Sequence, residues 1–339
     1  MRGLVFTGGR RAELRTFPDP EPGPGEAVVE IRASGLCGSD LHRYRADADP
    51  GQVIIGHEPC GVVASLGAGA PPGLAVGDRV MVHHYAGCGV CEICALGFEQ
   101  ACPTGHVTYG TGANGSHADL MLVPIRSLAI LPDELGFEEG AAISCGTGTA
   151  WNALRKMGVS GRDTVAVFGQ GPVGLSGTLT AKAMGARVIA IDMIPDRLVL
   201  AEQLGADHTV NPATDDPVEA IRTLTGGAGA SVTLESSGHP EARSQVLKAL
   251  GLFGRCAYVG VGKPATIDVN FDLIRKNATV YGSWTFTKSE MIEVARFFVE
   301  TKAPLADLIT DRFPLGDAVE AYKAFDGGSA GKCVLVAGP

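Results

Sequence analysis

From Gly25 to Pro124 the chain sets short apolar stretches between glycines and prolines: GEAVVEIRAS, GVVASLG, GDRVMVHHY and HADLMLVP. Their alternating or continuous apolar character over a few residues is that of strands, so this part reads as all-β. From about Phe137 the period changes. FEEGAAISCGTGTAWNALRKMG has helical spacing, and strands and helices then alternate as DTVAVFG, PVGLSGTLTAKAMG, ARVIAID, PDRLVLAEQLG, ASVTLESSG, HPEARSQVLKALG, GRCAYVGVG and NATVYGSWTF. Such alternation predicts parallel strands joined by right-handed crossovers, hence an α/β doubly wound sheet. After Phe286 come a helix (SEMIEVARFFVETK), a proline-bounded stretch, a second helix (GDAVEAYKAFDGG) and a last strand, GKCVLVAG. A lone terminal strand needs an existing sheet. The tail is therefore expected to rejoin the β-rich body, leaving the α/β domain as an insertion beside a cleft.

A chain of 339 residues exceeds one comfortable core, which agrees with two domains: 1–146 together with 287–339, and 147–286. The longest apolar run is cut by Lys182 and Arg187, so no bilayer-crossing segment is expected. MRGLVFTGGRRAELRTF has no apolar core with a small-residue cleavage site, which points to a cytoplasmic protein. Nine cysteines in that setting read as metal ligands and reduced thiols. The net charge of −9, with lysine and arginine scattered, speaks against a nucleic-acid surface.

Cys88, Cys91, Cys94 and Cys102 form CxxCxxCxxxxxxxC in a glycine-rich stretch. Thiolates are soft anions, and zinc's filled d shell imposes no geometry, so four sulfurs at this spacing suit one tetrahedral zinc. Such a site is closed. It would staple a lobe at about 86–104 and leave the chemistry elsewhere; four ordinary buried or oxidised cysteines are the plainer account. GQGPVG (Gly169, Gly171, Pro172, Val173, Gly174) follows one strand and opens a helix, and Asp192 ends the next strand. Glycine there permits the tight turn, the approach of a pyrophosphate to helix-start amides, and close helix–sheet packing. The Asp192 carboxylate accepts from both ribose hydroxyls and repels a 2′-phosphate, which predicts NAD over NADP. Arg197 is expected beside the adenosine. A purely structural glycine turn, with Asp192 as a loop cap, is the alternative.

Cys37 in GLCGSDLH, His57 in IIGHEPCG and Cys145 in ISCGTGTA are not joined by spacing, and single Cys or His residues are commonly packing. Together with the four-cysteine lobe and the glycine turn, however, these motifs resemble the zinc-dependent medium-chain dehydrogenase/reductase family, alcohol dehydrogenase type, over essentially the whole chain. The resemblance implies a GroES-like β-rich catalytic domain with an inserted Rossmann domain. It implies two zinc ions per chain, with Cys37, His57 and Cys145 holding a catalytic one that keeps an open position. It also implies reversible hydride transfer between NAD and a primary or secondary alcohol. Cys145, where many polyol and threonine dehydrogenases are expected to have glutamate, leans toward the alcohol branch. By resemblance Glu58 sits behind the zinc, Asp40 orients the histidine ligand, and a proton relay runs from substrate through Ser39 and the nicotinamide ribose to His42.

Val259, Val261 and Tyr281 fall in segments resembling those that hold the nicotinamide amide, and His84, Tyr85 and Trp284 are pocket-wall candidates. Lys332 suits either the pyrophosphate or an exposed place ahead of a strand. The expected partner is a small alcohol, aldehyde or ketone, and the expected assembly a homo-oligomer, a tetramer before a dimer. A polyol or amino-alcohol dehydrogenase is the nearest alternative. A zinc-free NADPH reductase of alkenes or quinones is opposed by the ligand trio, the lobe and Asp192. A zinc-stabilised nucleotide-binding or redox-sensing protein without turnover is opposed by the intact Ser39 and His42.

Overall fold

The computed structural model describes residues 1–47, 51, 53–328 and 330–337. The chain divides into two compact units, Met1–Cys145 with Phe286–Glu300 and Ile309–Pro339, and Gly146–Thr285 with Thr301–Leu308. The last piece sides with the α/β unit because the turn Leu305–Leu308 packs on the helix Pro172–Ala183 and buries Leu305 and Leu308.

In the first unit the strand Glu26–Gly35 is the axis of a seven-stranded sheet. One edge pairs with Pro59–Leu66; the other is shared by Leu120–Pro124, opposite Glu26–Glu30, and by the terminal strand Lys332–Val336, opposite Ala33–Gly35, all antiparallel. Ala27, Val29 and Ile31 enter a core with Val63, Val80, Val82, Met121 and Val123. A second core joins Leu4 and Phe6 to Leu36, Tyr44, Ile55, Tyr322 and Leu335. It fastens the N-terminal hairpin Arg2–Phe6/Ala12–Thr16, whose arginines hide it from the hydrophobic pattern, and the helix Ala318–Asp326.

Two predicted elements differ. The strand expected through VMVHHY ends at Val82, and Tyr85–Ala86 pairs separately with Val107–Thr108. The intervening imidazoles turn to backbone carbonyls: His83 bonds Tyr85 O at 3.1 Å and Phe286 O at 2.9 Å, and His84 Nδ1 bonds Ser144 O at 2.9 Å. The helix expected from Phe137 onward is interrupted. An α-helix over Phe137–Ala142 widens into a π-turn, Ile143–Thr147, before Gly148–Lys156 resumes α geometry. Such π-turns recur at functional sites, and Cys145 lies in this one.

The second unit is a six-stranded parallel sheet in the order His208–Val210, Arg187–Ile191, Thr164–Phe168, Ala230–Glu235, Leu250–Tyr258, Thr279–Gly282. The central strands Thr164–Phe168 and Arg187–Ile191 are nearly continuous apolar runs because both of their faces are covered. Ala166 and Phe168 belong to one core, and Val165 and Val167 to the other. Chain order reverses between Thr164–Phe168 and Ala230–Glu235, the crevice where open α/β sheets bind ligands. Among the described residues no helix is long and apolar enough to cross a membrane.

Candidate metal centres and dinucleotide turn

The four-cysteine lobe is built from turns. Cys88 precedes a bend, Cys91 caps the short helix Glu92–Ala95, Cys94 lies inside it, and Cys102 follows the 3-10 turn Glu99–Ala101. The four sulfurs lie within 4.8 Å of one another, with Cys88–Cys94 and Cys91–Cys102 separations of 3.9 Å. Tetrahedral zinc with Zn–S bonds of about 2.3 Å requires sulfurs roughly 3.8 Å apart, so the set fits the ion. Backbone N–H groups of Cys88, Cys91 and Cys94 point at the sulfurs of Cys102, Cys88 and Cys91, each at 3.4 Å. Hydrogen bonds from the Val90 and Cys91 amides draw the Cys88 thiol down to about 6, while burial pushes Cys94 up to about 12. Full ionisation thus calls for a cation. Gly87 is obligatory at the rim, because a Cβ there would meet Cys94 Sγ at 2.6 Å.

The second cluster lies wholly in the first unit. Cys37 leaves the end of the axial strand, His57 and Glu58 precede Pro59–Leu66, and Cys145 comes from the π-turn. One ligand atom from each of Cys37, His57, Glu58 and Cys145 lies within 4.8 Å of the others. A hydrogen bond from Cys145 holds the Cys37 thiol well below its usual range, and the same contact, with burial, raises Cys145. Two sulfurs and an imidazole are a donor set that suits zinc. Glu58 Oε1 is buried without a hydrogen-bond partner, so the carboxylate also has an oxygen to give.

Around the cluster, His57 Nδ1 bonds Asp40 Oδ1 at 3.0 Å, which leaves Nε2 for the metal side. Asp40 Oδ2 accepts from Cys37 N–H at 3.1 Å. Against the penalty of burial, the charge of His57 draws Asp40 down to about 2. Ser39 Oγ is 3.4 Å from His57 Nε2, and His42 lies exposed one turn on in the helix Asp40–Tyr44. His84 is buried, its ring 5.3 Å from that of His57. Its Nδ1 is tied to Ser144, and burial, then the charge of His57, lowers it well below the ordinary histidine range. Tyr85 is half-buried, and Trp284 belongs to the second unit, 53% exposed.

Lys332 takes neither expected place. It is 1% exposed, ion-paired with Glu58 and bonded to Leu36 O at 2.9 Å. As the first residue of the terminal strand it points into the first unit, where the buried carboxylate draws it. Gly35 leaves the room: a Cβ there would meet Lys332 Cε at 2.7 Å. Glu58 is itself fully buried. Burial pushes its carboxyl up, and the Lys332 ammonium opposes that by favouring the ionised form. His117, Tyr322, Ser34 and Ser116, which gather behind Asp40, carry no spacing signal and are not among the sequence candidates.

In the second unit Gly169 turns at φ +89°, and its N–H bonds Ile191 O at 2.8 Å. Gly171 caps the helix Pro172–Ala183, with Pro172 at its first position and Val173 next. A Cβ on Gly174 would collide with the Gly169 carbonyl, and one on Gly171 would meet only Arg197 at 4.0 Å. The helix start is thus open toward a phosphate. Asp192 accepts from Gln170 N–H at 2.5 Å and Ile194 N–H at 2.9 Å, and Arg197 Nη1 stands 3.9 Å from it, so Arg197 neighbours both the acidic residue and the turn. Val259 N–H bonds Glu235 O, Val261 is 81% exposed, and Tyr281 is half-buried on Thr279–Gly282. The residues fit a dinucleotide.

Residues 23–133 match the alcohol dehydrogenase GroES-like domain family, and residues 172–300 the zinc-binding dehydrogenase family. The chain is 37% identical to the uncharacterized zinc-type alcohol dehydrogenase-like protein YphC of Escherichia coli, over 99% of this chain and 98% of that protein. It is 34% identical to the L-threonine 3-dehydrogenase of Pyrococcus horikoshii, over 97% and 96%. The structure of alcohol dehydrogenase TADH from Thermus sp. ATN1 is similar over 100% of both chains, with a TM-score of 0.91 and 29% identity. Fold, metal-ligand clusters and whole-chain similarity agree: the chain belongs to the zinc-dependent medium-chain dehydrogenase/reductase family, with a GroES-like domain and a Rossmann-type parallel sheet.

Proposed function

We propose that the protein is an NAD- and zinc-dependent alcohol dehydrogenase that interconverts a primary or secondary alcohol with its aldehyde or ketone. The observation that carries this reading is the meeting of Cys37, His57 and Cys145, from three remote stretches, within 4.8 Å beside the buried Glu58. Cys37, His57 and Cys145 would hold a zinc ion that would supply Lewis acidity toward the substrate oxygen, and the four cysteines of the lobe would hold a second, structural zinc. Asp40 fixes the His57 tautomer by accepting from Nδ1. Ser39, whose hydroxyl can both accept and donate, takes the alcohol proton, and exposed His42 passes it to water. The glycine turn binds the pyrophosphate, Asp192 binds the ribose hydroxyls with Arg197 alongside, and Val259, Val261 and Tyr281 border the nicotinamide.

A polyol or amino-alcohol substrate is the second reading, favoured by the similarity to L-threonine 3-dehydrogenase and by His84. With Nδ1 bound to a carbonyl, this buried imidazole has Nε2 left as an acceptor for a second hydroxyl or an ammonium group.

A panel of simple alcohols, diols, polyols and threonine with NAD, followed at the nicotinamide absorbance with and without a chelator, tests both. Chelator-sensitive NAD reduction is expected. Absence of turnover in a protein holding two metals overturns the enzyme reading, and equal use of NADP overturns the role of Asp192.

A further inference from the structure

Behind the candidate metal cluster six side chains form one continuous hydrogen-bonded chain. His57 Nδ1 meets Asp40 Oδ1 at 3.0 Å; Asp40 Oδ2 meets the Tyr322 hydroxyl at 3.2 Å; that hydroxyl meets His117 Nε2 at 2.9 Å. His117 Nδ1 then meets Ser34 Oγ at 2.7 Å, and Ser34 Oγ meets Ser116 Oγ at 2.7 Å. None of the six is more than 8% exposed. At the far end the two serines line a surface cavity of about 530 Å³ whose cations Arg2 and Arg32 are already paired with Asp119 and Glu30.

The direction of every bond follows from the inner end. An ionised carboxylate only accepts, so the Tyr322 hydroxyl gives its one proton to Asp40 and must take one from His117 Nε2. His117 Nδ1 is then the acceptor for Ser34, whose oxygen accepts from Ser116. Burial holds His117 down to about 4, which keeps this ring neutral with the single proton the chain requires. All donors converge on Asp40, and bonds aligned in this way polarise one another.

Tyr322 and His117 are themselves held by close packing. Asp40 sits on a helix of five residues, a length at which helices draw their stability from tertiary contacts. Tyr322 is clamped edge-on against Phe6 at 5.0 Å and tilted against Tyr44 at 5.4 Å. The His117 ring abuts Gly56, where φ is +93° and any Cβ would collide with the imidazole.

We propose that His117 and Tyr322 are positioning residues for the metal ligand His57: they hold Asp40 in register as the acceptor of His57 Nδ1–H, so that the orientation and basicity of the ligating ring are set from the C-terminal helix and the Ser116–His117 segment. This rests on His57 being a ligand, as proposed above.

The test uses the full-length protein loaded with zinc, and with cobalt(II) as a coloured substitute, in wild type and in Tyr322→Phe, His117→Phe and His117→Gln. Removing a partner in the ligand's supporting shell weakens metal binding by roughly tenfold or more, so both phenylalanine variants should lose the Cys37–His57–Cys145 metal to a chelator about tenfold faster. Their cobalt absorption should shift and their kcat should fall more than KM rises. His117→Gln keeps one amide N–H and one C=O in line and should restore the wild-type spectrum and most of the retention. Release from the four-cysteine lobe should not change, which makes it the internal control.

Variants that melt at lower temperature but keep the cobalt spectrum, the release rate and kcat show a purely structural network and overturn the inference while leaving the dehydrogenase reading intact. A wild-type protein that binds metal only in the lobe overturns both. Should Tyr322→Phe prevent folding, Ser34→Ala breaks the chain more gently: faster release supports the proposal and an unchanged rate overturns it.

Discussion

Lys332 is ion-paired with Glu58 beneath the metal cluster, and neither side chain is more than 1% exposed. Deleting one member of a fully buried pair leaves the other without its partner, so Lys332→Met should cost about 3–5 kcal/mol in urea unfolding of the zinc-loaded protein. The double variant Glu58→Gln/Lys332→Met should be less destabilised than Lys332→Met alone, because no stranded carboxylate remains. A single-variant loss under about 1 kcal/mol, typical of exposed pairs, contradicts this account.

Ser39 touches the metal side of His57 and stands one turn from His42. Ser39→Ala should lower kcat by about a hundredfold, the usual scale of a lost proton-transfer group, with the NAD dissociation constant unchanged. Rapid-mixing kinetics and cofactor titration separate the two. Equal turnover removes Ser39 from the relay.

The Asp192 carboxylate is held by two backbone amides beside the glycine turn, with Arg197 close by. Asp192→Gly takes away the charge that repels a 2′-phosphate and leaves Arg197 to attract it. The ratio of kcat/KM for NADP to that for NAD should rise by about tenfold or more, because selectivity that rests on repulsion goes when the repelling group goes. An unchanged ratio counts against Asp192 as the selector.

Cys94 and Cys102 are the two buried members of the four-cysteine lobe. Cys94→Ser should lower the metal content by about one equivalent per chain and open residues 86–104 to protease, since a closed structural site holds its loop only when fully ligated. Metal analysis with limited proteolysis checks both. Loss of the Cys37–His57–Cys145 metal instead would exchange the roles of the two centres.

Burial lowers His117 from 6.5 to about 4. The unfolded chain therefore binds a proton that the folded one refuses between these values. Its contribution to stability is complete above pH 6.5 and is lost as pH falls toward 4, about 3 kcal/mol in all. Between about pH 7 and pH 4 the stability of His117→Gln should fall by about that much less than wild type, measured by denaturant unfolding at each pH.

Elements whose information is local were legible in the amino-acid order alone. Continuous apolar runs such as VAVF and VIAI marked parallel strands covered on both faces, GQGPVG marked a strand-to-helix turn, and four cysteines within fifteen residues could reach one another whatever the remainder of the chain did. Tertiary structure decided what depends on remote approach. Cys145 lies in a π-turn that apolar spacing reads as plain helix. Lys332 is buried because sheet pairing carries the last strand beside Glu26–Gly35, next to Gly35 and the Glu58 carboxylate. The link from Asp40 through Tyr322 and His117 to Ser34 bonds residues up to 282 positions apart, and a hydrogen bond between such partners has no period, spacing or composition to announce it. Periodicity records which face of an element meets the core; only the packed chain records which polar groups must then satisfy one another.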